Sequence, residues 1–453
     1  MTESADVVVV GSRCAGSAAA ITLARRGRKV IALDSAAFPS DTLSTHLFFP
    51  HHWAELERLG ARERVLRLDP PLHTHGVIGT PDTEIAGRMC DYEGIAAGSC
   101  VRRPGLDLAL VETARAAGAE VRERVRVTGL LRDRAGRVHG VRHRGRDGTE
   151  GELHAALVIG ADGRRSTVAK LVGARRHHHR DNQRAMVWAY YADPRPEARH
   201  LAVQSRREDD LVSVFPCDGG QALVLLMPPA ARAAAFRADP EGQFEATLDR
   251  FAQVRQRLDG GTRVSRLRAS YEHPSYFRHS HGPGWALAGD AGHFKDPVTA
   301  QGIRDALRFG RLLGEAVAAH LDRPAGLDAA LARWEDDRDA QCLPMYQWAN
   351  LLGRADPVSP IEQAAYRWLQ RKPDGSGATE LSRIFARVDR PAEVFNARNA
   401  LRWTAAALRD PRNRPGDVAT TFARDTRREV ARALEAALFR RTRTRSARSG
   451  ADA

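Results

Sequence analysis

The feature that most constrains the fold is a short apolar run that ends in a glycine-containing turn. Residues 7–10 are four valines, which predicts a strand buried on both faces, as in a parallel sheet. The turn Gly11-Ser12-Arg13-Cys14-Ala15-Gly16 follows, residues 15–26 have a helical pattern, and residues 29–34 predict a second strand. This order is a βαβ unit, and the glycines in its first turn predict a dinucleotide-binding domain.

The residues of this turn have separate chemical roles. Gly11 permits the tight turn, and Gly16 lets the helix pack closely on the strand. Ala15 lies at the start of the helix, whose free N–H groups attract a pyrophosphate. Asp34 ends the second strand and can accept hydrogen bonds from a ribose. Arg13 replaces the second glycine of the pattern, so either its backbone fits a non-glycine geometry or its side chain contacts the phosphates.

Two further stretches follow predicted strands in the same way. Residues 158–168 read V-I-G-A-D-G-R-R-S-T-V, with Asp162 and Gly163 directly after the strand. Residues 289–303 read G-D-A-G-H-F-K-D-P-V-T-A-Q-G-I, and Gly302 and Ile303 begin a helix there. The N-terminal N–H groups of that helix can stabilise negative charge on a ligand.

Together these stretches resemble the motifs of the p-hydroxybenzoate hydroxylase superfamily of FAD-dependent oxidoreductases. The pieces Asp296-Pro297 and Gly302-Ile303 are similar to the geranylgeranyl reductase and flavin halogenase branches, although the W-x-W-x-I-P segment of the halogenases is absent. The arginine that the family has three residues after Ser166 is Ala169 here. The resemblance implies an FAD site formed by Gly11, Arg13, Ala15, Gly16, Asp34, Arg103, Val127, Asp162, Gly163, Gly289, Asp290, Gly302 and Ile303.

The resemblance also implies an activity, with FAD bound non-covalently and with NAD(P)H and O₂ as co-substrates. The leading hypothesis is a monooxygenase that hydroxylates or epoxidises a small aromatic or polyketide-like molecule through a flavin C4a-hydroperoxide. The alternative is a reductase or dehydrogenase that adds hydride to a carbon–carbon double bond, as the geranylgeranyl reductases do. A flavin halogenase and a non-enzymatic flavoprotein that binds an acidic partner are further hypotheses.

Two residues are candidates for direct contact with the reacting groups. His46 lies in the segment after the second predicted strand, and Pro297 lies in the loop expected to face the flavin. We expect the substrate to be held by the strand-rich segment, where the candidate lining residues are Trp188, Tyr190, Phe215 and Met227.

The expected fold class is α/β, or α+β overall: a Rossmann-like FAD-binding domain, interrupted by a β-rich substrate domain and followed by a helical C-terminal region. The expected boundaries are 1–177 and 281–325 for the FAD-binding domain, 178–280 for the substrate domain, 326–438 for the helical region, and 439–453 for a basic, disordered tail.

Composition limits the other possibilities. No apolar run approaches the roughly 20 residues of a membrane span, and the N-terminus does not have the pattern of a secretory signal, so we expect a cytoplasmic protein without a membrane span. The net charge of +14 is interpreted as scattered, which disfavours a nucleic-acid site and leaves an acidic carrier protein as a partner. No metal is expected, because consecutive side chains in the run His177-His178-His179 diverge.

Overall fold

A computed structural model describes residues 3–449, with the side chains of residues 3–439. The strands are β1 (Glu3–Val10), β2 (Val30–Asp34), β3 (Leu47–Phe48), β4 (Leu72–His73), β5 (His75–Thr80), β6 (Thr83–Arg88), β7 (Gly98–Cys100), β8 (Glu120–Glu123), β9 (Arg126–Arg132), β10 (Val138–Arg144), β11 (Glu150–Gly160), β12 (Arg176–Arg180), β13 (Met186–Ala192), β14 (Leu201–Arg207), β15 (Asp210–Cys217), β16 (Gln221–Leu226), β17 (Arg268–Ser270), β18 (Ser275–Arg278), β19 (His281–Gly282), β20 (Trp285–Leu287) and β21 (His293–Phe294).

The α-helices lie in connections between these strands and make up most of the chain after residue 300. They are α1 (Cys14–Arg25), α2 (Pro50–Arg58), α3 (Arg62–Leu66), α4 (Arg103–Ala116), α5 (Thr167–Leu171), α6 (Ala233–Ala238), α7 (Pro240–Asp249), α8 (Ala252–Leu258), α9 (Gly302–Val317), α10 (Pro324–Leu352), α11 (Pro360–Gln370), α12 (Ser376–Phe385), α13 (Pro391–Val394), α14 (Ala397–Arg409) and α15 (Pro415–Ser449).

The valine run forms the centre of the largest sheet. β1 pairs in parallel with β2 on one side and with β11 on the other, and β8 and β20 extend the parallel sheet outward. Val7 and Val9 face a core packed with α1, α4 and α9, whereas Val8 and Val10 face a second core beneath β9 and β10. Successive side chains of a strand point to opposite faces of the sheet. The unbroken run of four valines therefore makes both faces of β1 apolar.

A second sheet is built from seven strands in the order β17-β13-β16-β15-β14-β5-β6. The expected substrate segment 178–280 supplies most of it, but β5 and β6 come from residues 75–88, inside the segment assigned to the FAD-binding domain. β5 pairs in parallel with β14, and β6 pairs only with β5. An isolated β-hairpin has marginal stability in water. The β5–β6 hairpin is therefore stabilised by the pairing of β5 with β14, which the local sequence does not predict.

Helix α9 packs along α1 through two glycines. A Cβ at Gly310 would lie 2.4 Å from the carbonyl oxygen of Ala15, and one at Gly314 would lie 2.8 Å from Cβ of Thr22. The two helices therefore run in the same direction. Gly310 lies eight residues, about 12 Å, after the start of α9 and contacts the first turn of α1, so α9 begins roughly 6–10 Å before the level at which α1 begins. Both helix N-termini consequently point in the same direction, and the N-terminus of α9 lies further along that direction than the N-terminus of α1.

The region after residue 325 is helical, as expected, but the tail differs from the expectation of disorder. Helix α15 continues to Ser449, and Phe439 is buried against His177, His178 and Phe277. This aromatic anchor explains why the helix continues beyond residue 438; residues 450–453 lie outside the described part of the chain. Within residues 3–449, no helix has the length and apolar character to cross a membrane.

Candidate functional site

The turn between β1 and α1 has the close approaches expected of a nucleotide-binding turn. Gly11 has φ +96°, and a Cβ there would lie 2.6 Å from the carbonyl oxygen of Ala161. At Gly16 a Cβ would lie 1.7 Å from the carbonyl oxygen of Gly11, so the helix can approach the strand this closely only with glycine. Arg13 is extended, with φ −82° and ψ −161°, and precedes the first residue of α1. Its backbone therefore needs no glycine.

The side chain of Arg13 joins a buried ionic cluster beside the N-terminus of α1. It forms an ion pair with Asp107 and donates to Oγ of Ser40 at 2.9 Å. Arg103 donates to Oδ1 of Asp107 from Nε at 3.0 Å and from Nη2 at 2.8 Å. Because two guanidinium groups share one fully buried carboxylate, a positive charge remains next to the helix N-terminus. Such an excess attracts a pyrophosphate.

Asp34 fixes the backbone around the same turn. Oδ2 accepts from the backbone N–H of Ser12 at 2.7 Å, and Oδ1 accepts from that of Ala36 at 2.8 Å. A carboxylate has about four acceptor positions, so two stay available for ribose hydroxyl groups. Val127 lies on β9 with 5% of its surface exposed.

Asp162 and Gly163 follow β11 directly, as predicted. Oδ2 of Asp162 accepts from the N–H groups of Thr167 at 2.6 Å and Val168 at 3.2 Å, in the first turn of α5. Its other oxygen, Oδ1, is buried and has no hydrogen-bond partner among the described residues. Gly163 has φ +77°, which favours glycine, and a Cβ there would meet no atom within 4 Å. One face of this turn is thus open to a ligand.

The third motif, residues 289–303, packs against α1 at its first residue, Gly289. Gly289 has φ +59°, and a Cβ there would lie 2.7 Å from Cβ of Ala15. Burial raises the pKa of Asp290, whereas nearby arginines, among them Arg164 and Arg103, lower it. Asp290, Gly302 and Gly289 line a small cavity with an empty volume of about 340 Å³. Ile303, next in α9, is 9% exposed.

The N-terminal turn of α9 carries a second cluster of buried charges. Asp305 contacts Lys295, Arg304 at 3.0 Å and Arg387 at 2.8 Å. Burial alone opposes ionisation, but Arg387, Lys295 and Arg304 hold the pKa of Asp305 well below its usual range. Arg387 also donates to Oε1 of Gln301 at 2.8 Å. Three cations around one carboxylate leave positive charge where the helix N-terminus already favours an anion.

Three structural observations indicate that the residues of this site fit FAD. No donor among the described residues hydrogen-bonds to the Asp290 carboxylate, and Oδ1 of Asp162 is an unpaired acceptor, so both can accept from cofactor hydroxyl groups. A Cβ at Gly302 would meet no atom within 4 Å, which leaves space at the start of α9. The offset N-termini of α1 and α9 place one positive end for a pyrophosphate and another for the far end of the same ligand.

A larger pocket is lined in part by the 297–300 loop. It has an empty volume of about 730 Å³ and lies between the second sheet, this loop and α12. Pro297 begins a 3-10 turn, and Pro297, Val298 and Ala300 line the pocket. Of the candidate substrate contacts, Phe215 and Met227 line this pocket, whereas Trp188 and Tyr190 pack in the adjoining core.

His46 is buried behind the pocket-lining residues Thr45 and Leu47. Its Nε2 is hydrogen-bonded to the hydroxyl group of Tyr190, and its Nδ1 is buried without a partner among the described residues. Burial, followed by the charges of nearby arginines, lowers the pKa of His46 well below its usual value. The imidazole is therefore neutral at physiological pH, and burial raises the pKa of Tyr190.

Charged residues of the site that were not identified from sequence include Asp107, Lys295, Asp305 and Arg387. Asp107 follows Arg103 by four residues on a helix, a spacing typical of an ion pair, and this signal was available. Lys295 lies inside the third motif, but its partner Asp305 is ten residues further on. Arg387 approaches from the C-terminal helices, 82 residues after Asp305, and no local pattern predicts this contact.

A parallel sheet with a glycine turn, two helix N-termini beside buried arginines and an adjoining seven-stranded sheet with an apolar pocket are the arrangement of a flavoprotein oxidoreductase. The chain matches the model of the family described as FAD binding domain over residues 4–348. The protein belongs to this family, which confirms the superfamily, the fold class and FAD as the cofactor expected from the sequence.

Curated relatives and solved structures agree with this assignment. The chain is 31% identical to the menaquinone reductase of Mycolicibacterium smegmatis over 331 residues, which cover 70% of this chain and 78% of that protein. It is 28% identical to the digeranylgeranylglycerophospholipid reductase of Methanosarcina mazei over 341 residues, or 70% of this chain and 75% of that protein.

Two solved structures show the same fold at low identity. The flavin-dependent brominase Bmp2 superimposes with a TM-score of 0.73 and 18% identity, covering 89% of this chain and 98% of its own. A flavoprotein/dehydrogenase from Cytophaga hutchinsonii superimposes with a TM-score of 0.72 and 18% identity, covering 85% of this chain and 93% of its own.

Proposed function

We propose that the protein is an FAD-dependent reductase that saturates a carbon–carbon double bond in the isoprenoid chain of a lipid-soluble substrate. The observation that carries this proposal is the apolar pocket beside the 297–300 loop. Its lining residues are predominantly aliphatic or aromatic: Thr45, Leu47, Phe49, Gly76, Val77, Ile78, Arg88, Met89, Ala202, Gln204, Phe215, Leu225, Met227, Pro297, Val298, Ala300, Ala378, Leu381, Ser382 and Phe385.

Such a lining favours a hydrocarbon chain over a polar aromatic ring. Each methylene group transferred from water into an apolar pocket contributes about 0.8 kcal/mol, so an isoprenoid chain gains affinity along its length. A phenolic substrate, in contrast, needs a partner for its hydroxyl group, because an unpaired buried polar group costs about 1–3 kcal/mol. Four lining residues have polar side chains, Thr45, Arg88, Gln204 and Ser382, whereas the other sixteen offer no side-chain partner to such a group.

The names of the sequence relatives support the same substrate class. Menaquinone and digeranylgeranylglycerophospholipid are both lipids with isoprenoid chains, and both relatives are named as reductases. The 297–300 loop supports the placement of the reaction, since its residues line the pocket and Gly302, two residues after the loop, begins α9, where the cofactor would be held.

The residues of the chain have distinct roles in this proposal. Arg13 and Arg103 would hold the pyrophosphate, and Asp290 and the start of α9 would hold the flavin end of FAD. Bound FAD supplies the two-electron redox chemistry, with NAD(P)H as the proposed electron donor. Reduction of a double bond also needs a proton at the second carbon. We assign this proton to the pair formed by the hydroxyl group of Tyr190 and Nε2 of His46; Tyr190 packs with lining residues of the pocket but is not itself part of the lining.

A second candidate is the monooxygenase, in which O₂ supplies an oxygen atom to the same double bond or to another apolar substrate. One observation favours it: oxygen transfer to a double bond needs no proton donor at the second carbon, and neither Tyr190 nor His46 lines the pocket directly. The two candidates share the cofactor site and the pocket and differ in what the product gains.

Turnover under ¹⁸O₂ separates them. Protein supplied with NADPH or NADH and with geranylgeraniol, which has no quinone ring to reduce, is expected to give a product with two hydrogens added at a double bond and no ¹⁸O. A product that contains one ¹⁸O atom would replace the reductase by the monooxygenase. Ala202→Trp, which fills the pocket, should abolish turnover without removing FAD, and Ala235→Trp on the exposed face of α6 is the matched control.

A further inference from the structure

The two last helices carry most of the net charge of the protein, so the expectation of a scattered charge is wrong. Residues 397–449 contain fourteen arginines and five acidic residues, a net charge of +9 out of +14 for the whole chain. Five of these arginines are exposed and form no ion pair within the part of the chain whose side chains are described: Arg398, Arg402, Arg409, Arg414 and Arg427.

The same helices expose aliphatic side chains. On α14, Leu401 is 60% exposed and Leu408 is 50% exposed; they are seven residues apart and therefore share a face. The opposite face buries Trp403 and Ala407 against α11. Leu401 and Leu408 thus face solvent, and the opposite face of α14 packs against α11.

Helix α15 has the same arrangement. Val430 is 54% exposed and Leu434 is 59% exposed, four residues apart on one face, with the exposed Arg427 at the end of the same stripe. The buried side of the helix includes Phe439, and Glu435 accepts from Gln347 at 3.0 Å. Two pairs of exposed aliphatic side chains therefore lie on two basic helices that contact each other, whereas exposed aliphatic residues that occur singly are normal on a protein surface.

From this combination we propose that α14 and α15 form a docking surface for an anionic lipid bilayer. Helices that lie in a membrane interface have aliphatic side chains flanked by arginines, because the aliphatic groups enter the acyl boundary and the cations bind the headgroups. Phosphates of nucleic acid would complement the arginines but would leave the leucines in water. The inference goes beyond the proposed function, since it does not depend on which reaction takes place in the pocket.

Sedimentation of the full-length holoprotein with vesicles tests the proposal. Binding is expected to vesicles that contain 30% phosphatidylglycerol in phosphatidylcholine, at least about ten-fold weaker to pure phosphatidylcholine, and reduced by salt. The double substitutions V430S/L434S and L401S/L408S are each expected to weaken binding about ten-fold at unchanged charge. The matched control is L171S/V264S, which removes two exposed aliphatic side chains elsewhere, 39% and 50% exposed, and should bind like the unmodified protein.

Three outcomes would overturn the proposal: no binding to anionic vesicles, equal binding by the helix variants and the control, or binding to a DNA duplex that is as strong as vesicle binding. Retained FAD absorbance and an unchanged melting temperature verify that the variants are folded. A loss of vesicle binding by the two helix variants alone, with FAD retained, would support the surface even if the reductase activity itself proved wrong.

Discussion

Gly302→Ala tests the location of the flavin at the start of α9. Gly302 is exposed, lines the smaller cavity, and would place a Cβ in space where no protein atom lies within 4 Å. In the protein without cofactor the added methyl group therefore meets nothing, and alanine is the better helix former. With FAD bound, the same methyl group occupies space that the account assigns to the flavin.

Gly302→Ala is expected to have opposite effects on the stability of the apoprotein and on its affinity for FAD. Replacement of glycine by alanine inside a helix gains up to about 1 kcal/mol, so the apoprotein should be unchanged or slightly more stable. Inserting a methyl group into an occupied contact costs about 1–3 kcal/mol, which weakens FAD binding about 5-fold to 150-fold. Gly302→Leu should weaken it further.

Titration of apoprotein with FAD, followed by flavin fluorescence, measures the effect, and thermal melting of the apoprotein measures the stability. Gly416→Ala is the matched control, because Gly416 lies in the first turn of α15 and its Cβ would also meet nothing within 4 Å. If Gly302→Ala and Gly302→Leu both bind FAD like the unmodified protein, the flavin does not lie at the start of α9.

Three further predictions concern the cofactor turn, the flavin-facing loop and the tail. Asp34→Ala removes the acceptor for the N–H groups of Ser12 and Ala36 and should weaken FAD binding about ten-fold to a hundred-fold by titration, since hydrogen bonds to charged groups contribute about 1.5–3 kcal/mol. Burial raises the pKa of Asp296 from 3.8 to about 6, so the stability that its neutral form contributes is complete below about pH 4 and is lost as pH rises through 6. Asp296→Asn, which keeps the cap on Val298, should remove this pH dependence in urea melts and stabilise the protein above pH 6 by up to about 3 kcal/mol; an unchanged profile would contradict the cause. Removal of residues 440–453 should retain FAD and solubility, because the buried Phe439 remains; a flavin-free product would show that the removed segment is part of the core.

The sequence was most informative where the chemistry depends on backbone geometry. Gly11, Gly16 and Gly289 are required by close approaches to other backbone or Cβ atoms, and these approaches occur at turns that directly follow predicted strands. A strand, a glycine turn and a helix N-terminus are adjacent in the chain, so the motif is complete within about 20 residues. For this reason the fold class and the cofactor were predictable from three local stretches.

The rest of the site was not predictable, because its partners are distant in the chain. Asp305 forms an ion pair with Arg387, and the second sheet includes β5 and β6 from residues 75–88. The apolar pocket combines residues of that sheet with α12, and each of its lining side chains has the pattern of ordinary core packing when considered singly. The monooxygenase hypothesis and the roles of His46 and Pro297 stay predictions.

The central claim is that the reduced flavin of this protein transfers its electrons to a carbon–carbon double bond in the apolar pocket. The most direct measurement is anaerobic stopped-flow absorbance of the flavin, reduced beforehand with one equivalent of dithionite and then mixed with geranylgeraniol or farnesol, which have double bonds but no quinone ring. The account predicts reoxidation of the flavin without O₂, one product with two added hydrogens per flavin, and no reoxidation in Ala202→Trp. A flavin that stays reduced with these substrates until O₂ is admitted would contradict it.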